Sequence, residues 1–226
     1  MIRLIVFDMA GTTVNEDNVV YKTVRDAVNA RGFDFTLDEV LAVGAGKEKL
    51  QAIRSVLALR NVADEKLAQE IFADFNQLLD NAYATLNVTE QPQAAELFKA
   101  LHSKGIQVAL NTGYSRQVAE MLVQKIGWKI GTDIDTLVTA SDVPNNRPHP
   151  DMVLYAMQQL GIHDAKEVVK VGDSGIDIEE GKNSGCALSI GITTGAQTYE
   201  QLSDAHPDYV IDQLMELLDV LDHVNQ

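Results

Sequence analysis

The chain has 226 residues, a formal net charge of −15 and one cysteine, Cys186. So acidic a chain offers no basic surface to neutralise phosphates, and we expect neither nucleic acid nor an anionic membrane as a partner. A single cysteine excludes an internal disulfide, and neither a signal-peptide pattern nor an apolar run of the ~18 residues that a membrane helix needs is present, so we predict a cytoplasmic protein.

The first predicted element is a strand over Leu4 to Phe7, a continuous apolar run typical of a strand buried on both faces. The run ends at Asp8, and the small residues and hydroxyls that follow predict a turn. Open α/β sheets bind their ligands at the carboxyl ends of parallel strands. We therefore predict Asp8 as a nucleophile.

Residues 16–88 carry helical patterns and no convincing strand. Thr36 and Glu39 have the spacing of a capping box. The longest apolar spacing predicts one extended helix, with its stripe at Leu67, Ile71, Phe75, Leu78, Ala82 and Leu86. This segment is predicted to be a helical cap domain inserted after the first strand, hinged near residues 14–18 and 87–91.

From about residue 90, strands and helices alternate. The predicted strands cover residues 106–110, 136–139, 168–171, 187–192 and 209–211. Such alternation predicts an α/β fold, a Rossmann-like parallel sheet with helices on both faces. Residues 1–15 and 89–226 would form this core.

Polar residues follow several of these strands. Asp173 and Asp177 come after the strand at 168–171, and at one sheet edge they would meet Asp8. Three converging carboxylates repel one another unless a hard cation such as Mg²⁺ joins them. Thr112, Gly113 and Arg147 would supply a hydroxyl, an N–H and a guanidinium for a phosphoryl group. Each of these residues alone is also typical of a turn, a helix cap or a surface position. The prediction of a metal and phosphoryl site depends on their occurrence together, in this order along the chain.

This order resembles the four motifs of the haloacid dehalogenase superfamily, with a cap of the type inserted after the first strand. The resemblance implies Mg²⁺ dependence and an aspartyl-phosphate intermediate on Asp8. It also implies that Asp8, the Ala10 carbonyl and Asp173 hold the metal, that Asp177 orients its waters, and that Thr112, Gly113 and Arg147 hold the phosphoryl oxygens.

One departure is informative, because phosphatases of this superfamily usually carry a second aspartate where this chain has Ala10. That aspartate protonates the leaving group, which is worth roughly 10²–10⁴-fold in rate. Either the leaving group needs no acid, another residue supplies the proton, or turnover is lost.

The pattern around Ala10 resembles the phosphonatase (phosphonoacetaldehyde hydrolase) group, in which a cap lysine forms an imine with the substrate aldehyde. Lys47 falls on that lysine. Val43 and Leu50 replace a methionine and a histidine of the group, which indicates a different phosphonate or phosphorylated carbonyl compound.

The leading hypothesis is a Mg²⁺-dependent phosphonatase-like hydrolase of a small phosphonate or phosphorylated metabolite, acting as a monomer or homodimer, with catalytic Asp8, Lys47 and Arg147. The alternatives are an ordinary phosphatase with a good leaving group and a non-catalytic phosphate-binding relative.

Overall fold

The computed structural model describes residues 1–224 (for residue 84, the backbone only). Its strands, in chain order, are β1 Leu4–Asp8, β2 Val14–Asn15, β3 Thr89–Glu90, β4 Gln107–Thr112, β5 Thr136–Thr139, β6 Val168–Gly172, β7 Leu188–Ile192 and β8 Tyr209–Ile211. Six of them form a parallel sheet in the order β5-β4-β1-β6-β7-β8, while β2 and β3 form a separate antiparallel pair. The predicted α/β class with a parallel sheet is confirmed.

The first strand is buried on both faces, as the apolar run predicts. Ile5 and Phe7 belong to one hydrophobic cluster, and Leu4 and Val6 belong to the other. Successive side chains of a strand point to opposite faces, so a central parallel strand needs apolar residues at every position. Asp8 breaks this run at the sheet's carboxyl edge.

The helices of the core are α5 Ala94–Ser103, α6 Arg116–Ile126, α7 Asp151–Leu160, α8 Gly175–Asn183, α9 Tyr199–Asp204 and α10 Glu216–Val224. The second strand of the predicted core runs further than its apolar residues suggested. Asn111 and Thr112, which lie beyond the predicted strand at 106–110, continue β4 because they pair with Asp8 and Thr139. No described helix combines the length and the apolarity needed to cross a bilayer.

Four helices lie between the short strands β2 and β3: α1 Val19–Asn29, α2 Leu37–Gly44, α3 Lys49–Ala58 and α4 Glu65–Thr85. The expected capping box is present, because Thr36 and Glu39 bond each other's backbone N–H groups at the start of α2. On α4 one predicted core position is wrong: Leu78 is 41% exposed, whereas Leu79 is 4% exposed. A helix turns about 100° per residue, so one position moves a side chain from core to solvent.

Cys186 is a buried free thiol that follows α8. Desolvation raises its pKa to about 12. The thiol therefore stays protonated near neutral pH, and it packs in the core as a small apolar side chain.

Candidate active site

Asp8 ends β1 at the centre of the sheet and is 5% exposed. The chain then turns through Gly11, which has φ of +83°. A Cβ at Gly11 would lie 2.3 Å from Asp173 Oδ2, so this position requires glycine on both conformational and steric grounds. The turn thus brings the ends of β1 and β6 together.

Arg147 is the largest fully buried side chain among the described residues, and it crosses the carboxyl edge of the sheet. Its Nη1 donates to Asp8 Oδ1 at 2.7 Å, its Nε to Glu180 Oε2 at 3.0 Å and its Nη2 to Asn111 Oδ1 at 2.6 Å. These three hydrogen bonds fix the orientation of the guanidinium beside Asp8, the predicted nucleophile.

Carboxylate oxygens of Asp8, Asp173 and Asp177 lie within 4.8 Å of one another. Asp173 Oδ2 accepts from the Ala196 N–H at 2.6 Å. Lys170 Nζ lies 2.8 Å from Asp177 Oδ1. Asp8, Arg147, Lys170, Asp173, Asp177 and Glu180 together form what we call the acid–base cluster.

This cluster holds four buried acids and two buried bases. Burial, reinforced by Asp8 and Asp177, raises the pKa of Asp173 well above its usual value. Burial also opposes ionisation of Asp177, but Arg147 and Lys170 outweigh it and hold the pKa of Asp177 below the usual value. The excess of acids over bases and the all-oxygen donor set fit a hard divalent cation, which would balance two negative charges.

Two of the three predicted phosphoryl-binding residues, Thr112 and Gly113, lie at the end of β4. Thr112 is buried, and its Oγ1 accepts from the Tyr114 N–H at 3.2 Å. A Cβ at Gly113 would stand 3.3 Å from the Gly46 carbonyl oxygen and 3.2 Å from that of Lys47. The cap loop before α3 is therefore in close contact with this edge of the core.

Gly46, in the loop before α3, lies close against the core. With φ of +72°, it lies where an added Cβ would meet Ile176 Cγ2 at 2.2 Å and Ser174 Oγ at 2.6 Å. Its N–H donates to the Tyr21 hydroxyl at 2.8 Å. The loop before α3 thus lies against the core, beside the small space that Asp8 lines.

The structure separates the two lysines of this loop. Lys47, the predicted imine lysine, is half-buried, and its Nζ donates to Ser55 Oγ on the cap at 3.0 Å. Lys49 is 6% exposed and lines the small space that Asp8, Ala10, Thr112 and Arg147 also line. The lysine next to the predicted nucleophile is therefore Lys49.

Aromatic rings surround Lys49. Its Nζ lies 4.8 Å from the centroid of the Tyr21 ring and 5.0 Å from that of Tyr114, and it donates to the Lys47 carbonyl at 2.8 Å. Desolvation lowers the pKa of Lys49 to about 8, although Asp8 and Glu16 oppose this shift. About a tenth of the Lys49 amine is thus neutral at pH 7, far more than for an ordinary lysine.

Glu16, between β2 and α1, is 2% exposed and accepts from the Tyr83 hydroxyl at 3.0 Å. Burial raises its pKa to about 7. The Tyr114 hydroxyl also interacts with Glu16 and with Tyr83. A buried acid and two tyrosine hydroxyls thus lie beside Lys49.

Sequence reasoning missed four residues of the site: Lys49, Asn111, Lys170 and Glu180. A lysine inside the apolar run Val168–Gly172 is a signal, because a buried charge requires a partner. The other three carried no local signal that distinguishes them from surface residues.

Comparison with known proteins identifies the family. A haloacid dehalogenase-like hydrolase family model matches residues 2–185. A phosphoglycolate phosphatase of Vibrio vulnificus (strain YJ016) is 32% identical over 227 residues, covering 97% of this chain and 96% of that protein. A bifunctional phosphonoacetaldehyde hydrolase/aminoethylphosphonate transaminase of Clostridioides difficile (strain 630) is 31% identical over 209 residues, covering 86% of this chain but only 32% of that longer protein.

A solved phosphonoacetaldehyde hydrolase like protein from Oleispira antarctica has the same fold, with a TM-score of 0.83 and 23% identity over 99% of this chain and 92% of that one. The family match covers most of the chain, including β1, β4 and β6 with the polar residues at their ends. The chain is a hydrolase that belongs to the haloacid dehalogenase-like family.

Proposed function

We propose that the protein is a Mg²⁺-dependent hydrolase that transfers the phosphoryl group of a small phosphonate or phosphate compound to Asp8 and then to water. The observation that carries the proposal is the buried cluster in which Asp8 lies beside Arg147, Asp173 and Asp177 at the carboxyl edge of the sheet. A buried nucleophile and a fixed cation suit a reaction in which charge develops on phosphoryl oxygens.

Asp8, the Ala10 carbonyl, Asp173 and Asp177 would hold the metal. When bound, Mg²⁺ supplies positive charge to the phosphoryl oxygens. Thr112, the Gly113 N–H and Arg147 would bind the same oxygens. An Asp8 oxygen attacks phosphorus, the bond from phosphorus to the leaving group breaks, and water then cleaves the acyl phosphate and regenerates the Asp8 carboxylate.

We further propose that Lys49 performs the cap-lysine role first predicted for Lys47. Lys49 is buried beside Asp8 and Ala10, whereas the Lys47 ammonium bonds Ser55. A neutral Lys49 amine would add to a substrate carbonyl and release water, giving an imine. When the C–P bond breaks, its electron pair moves into the imine to give an enamine, so no acid at Ala10 is needed. Protonation of the enamine and hydrolysis of the imine then free the carbonyl product and the amine.

The test measures phosphate release from phosphonoacetaldehyde with Mg²⁺, with and without borohydride. The proteins are the parent, Asp8→Asn, Lys47→Arg and Lys49→Arg. We expect slow release by the parent, because Val43 and Leu50 indicate another natural substrate. Borohydride should abolish this release and leave a reduced adduct on Lys49 itself, and neither Asp8→Asn nor Lys49→Arg should release phosphate. Because Lys47→Arg changes the neighbouring lysine in the same way, it is the matched control.

Other results separate the alternatives. An adduct on Lys47 would return the cap-lysine role to that residue. Release that neither borohydride nor Lys49→Arg affects would favour an ordinary phosphatase, and acyl phosphates would then be its test substrates. Binding of a phosphate analogue without turnover of any organophosphorus compound would identify a non-catalytic relative.

A further inference from the structure

A second cavity, of about 240 Å³, lies between the cap helix α4 and the core. Phe72, Phe75 and Leu79 of α4 form one wall, and Tyr114 and Val118 form part of the facing wall. We call this space the apolar pocket. It is smaller than the ~300–1,000 Å³ typical of sites for drug-sized ligands, so it suits a small organic group.

The apolar pocket adjoins the space above Asp8. Lys49, Gly113 and Tyr114 line both. The space above Asp8 measures only about 10 Å³ and has no room for the rest of a substrate. A molecule with its phosphorus at Asp8 would therefore extend past Lys49 into the apolar pocket.

The wall that α4 and Val118 form favours an apolar group, while Asn76, Ser115 and Ser141 add uncharged polar groups to the lining. Phe72 and Phe75 stack with ring centroids 6.0 Å apart, and Phe75 and Leu79 are almost fully buried. Lys49 is the one cation among the described residues that line the pocket, and Glu48 adds a carboxylate there. A second anionic group in the pocket would lie near the Glu48 carboxylate and would share Lys49 with the phosphoryl group.

The entrance of the pocket is polar because Lys49 lines both the pocket and the space above Asp8. The Lys49 ammonium has three donors, and one of them is used by the Lys47 carbonyl. A substrate oxygen close to the phosphorus would therefore find a donor in Lys49. The Tyr114 hydroxyl interacts with Glu16 and Tyr83 instead.

From this arrangement we infer that the substrate is a phosphonate or phosphate monoester whose organic group carries an oxygen close to the phosphorus and continues as an uncharged apolar chain of several carbons. This inference rests on the proposed function, because it uses Asp8 as the site of the phosphorus. Two-carbon compounds such as phosphoglycolate and phosphonoacetaldehyde would leave most of the apolar pocket unused.

The test is binding of n-alkylphosphonates, from methyl to heptyl, to the Mg²⁺-loaded protein by calorimetry. These probes keep the phosphoryl group constant and are not hydrolysed through an imine, because they lack a carbonyl. Burial of one methylene is worth about 0.8 kcal/mol, or roughly fourfold in affinity. We expect the dissociation constant to fall about fourfold per added carbon until the pocket is filled.

Val118→Trp would fill the apolar pocket, and Gln117→Trp places the same ring on the exposed neighbouring position as a matched control. We expect Val118→Trp to remove most of the increase in affinity from methylphosphonate to heptylphosphonate. Gln117→Trp should keep that increase. Phe72→Ala enlarges the pocket at a half-buried position. The alkyl chain that binds most tightly should therefore be longer in this variant than in the parent.

A dissociation constant independent of chain length in the parent, or a length dependence that Val118→Trp leaves intact, would overturn the inference. The absence of binding by every member would overturn it as well. Length-dependent binding without phosphate release from any substrate would preserve this inference and refute the proposed hydrolysis. Turnover of homologous n-alkyl phosphates and 2-oxoalkylphosphonates then distinguishes the two classes of substrate.

Discussion

Arg147 Nη1 lies 2.7 Å from Asp8 Oδ1, and both side chains are almost completely buried, 1% and 7% exposed. The same guanidinium balances Asp177 and Glu180 at 3.1 and 3.0 Å. The arginine is thus a structural counter-ion as well as a candidate phosphoryl ligand, and this double role can be tested.

Arg147→Met should lower the free energy of unfolding by about 3–5 kcal/mol, because it leaves buried carboxylates without their cation. Denaturant titration measures this. Arg54→Met is the control, since Arg54 pairs with Glu65 at the surface with 46% of its side chain exposed, and it should cost less than about 1 kcal/mol. Equal effects of the two substitutions would contradict a structural role for Arg147.

Mg²⁺ should stabilise the protein through Asp173. At a concentration a hundred times its dissociation constant, a cation that binds only the folded state adds about 2.7 kcal/mol to the free energy of unfolding. We expect Mg²⁺ not to raise the free energy of unfolding of Asp173→Asn. Asp204→Asn, a control at an exposed position, should be stabilised by Mg²⁺ as the parent is. Unfolding with Mg²⁺ and with chelator measures both, and full stabilisation of Asp173→Asn would exclude the predicted metal site.

The rate of an imine reaction should rise with pH as Lys49 loses its proton. Its pKa is lowered to about 8, so kcat/KM should increase with a midpoint near pH 8. The charged or titratable groups around it are Asp8, Glu16, Arg147, Glu48 and the two tyrosines of its pocket. Lys47→Arg should keep the midpoint. A falling limb at this pH would instead show that the ammonium form is the active one.

Stability should depend on pH through Glu16. Its pKa is about 7 in the folded protein and 4.5 ordinarily, so between these values the folded state binds the extra proton. Stability due to protonated Glu16 is therefore present at low pH and lost as pH rises through 7. The shift corresponds to about 3 kcal/mol.

Glu16→Gln should remove this loss, so that the parent becomes less stable relative to the variant between pH 4.5 and 7.5. Denaturant unfolding across that range measures the difference. Exposed Glu179→Gln should follow the parent. A constant difference between the parent and Glu16→Gln would refute the buried proton.

Closure of the cap should depend on Gly46. Gly46→Ala puts a methyl group into Ile176 and Ser174, so the loop must move away from Asp8, and we expect kcat/KM to fall roughly 10–100-fold. Gly32→Ala has the same kind of positive φ, +92°, but meets nothing within 4 Å. Both substitutions should cost about 1–2 kcal/mol in backbone strain, which thermal unfolding checks, but Gly32→Ala should leave kcat/KM unchanged. Equal activity of the two variants would show that loop contact is not needed.

The central strand and its terminal aspartate were predictable because the pattern is local. A run of apolar residues from Leu4 to Phe7 that stops at a carboxylate can be recognised without knowledge of the rest of the chain. The alternation after residue 90 likewise predicted the parallel sheet, and parallel strands bring their carboxyl ends to one edge. Asp8, Asp173 and Asp177 therefore meet as expected.

The sequence by itself determined the fold class, the family and the order of the acidic motifs, since these depend on local periodicity and on residues at strand ends. Only the tertiary structure decided which cap lysine reaches the site. Lys47 and Lys49 are two residues apart, but the turn at Gly46 and the start of α3 at Lys49 bury only the second beside Asp8. The partners of Lys170 and Glu180 and the apolar pocket likewise depend on segments distant in sequence, and packing between such segments leaves no periodic signal in the chain.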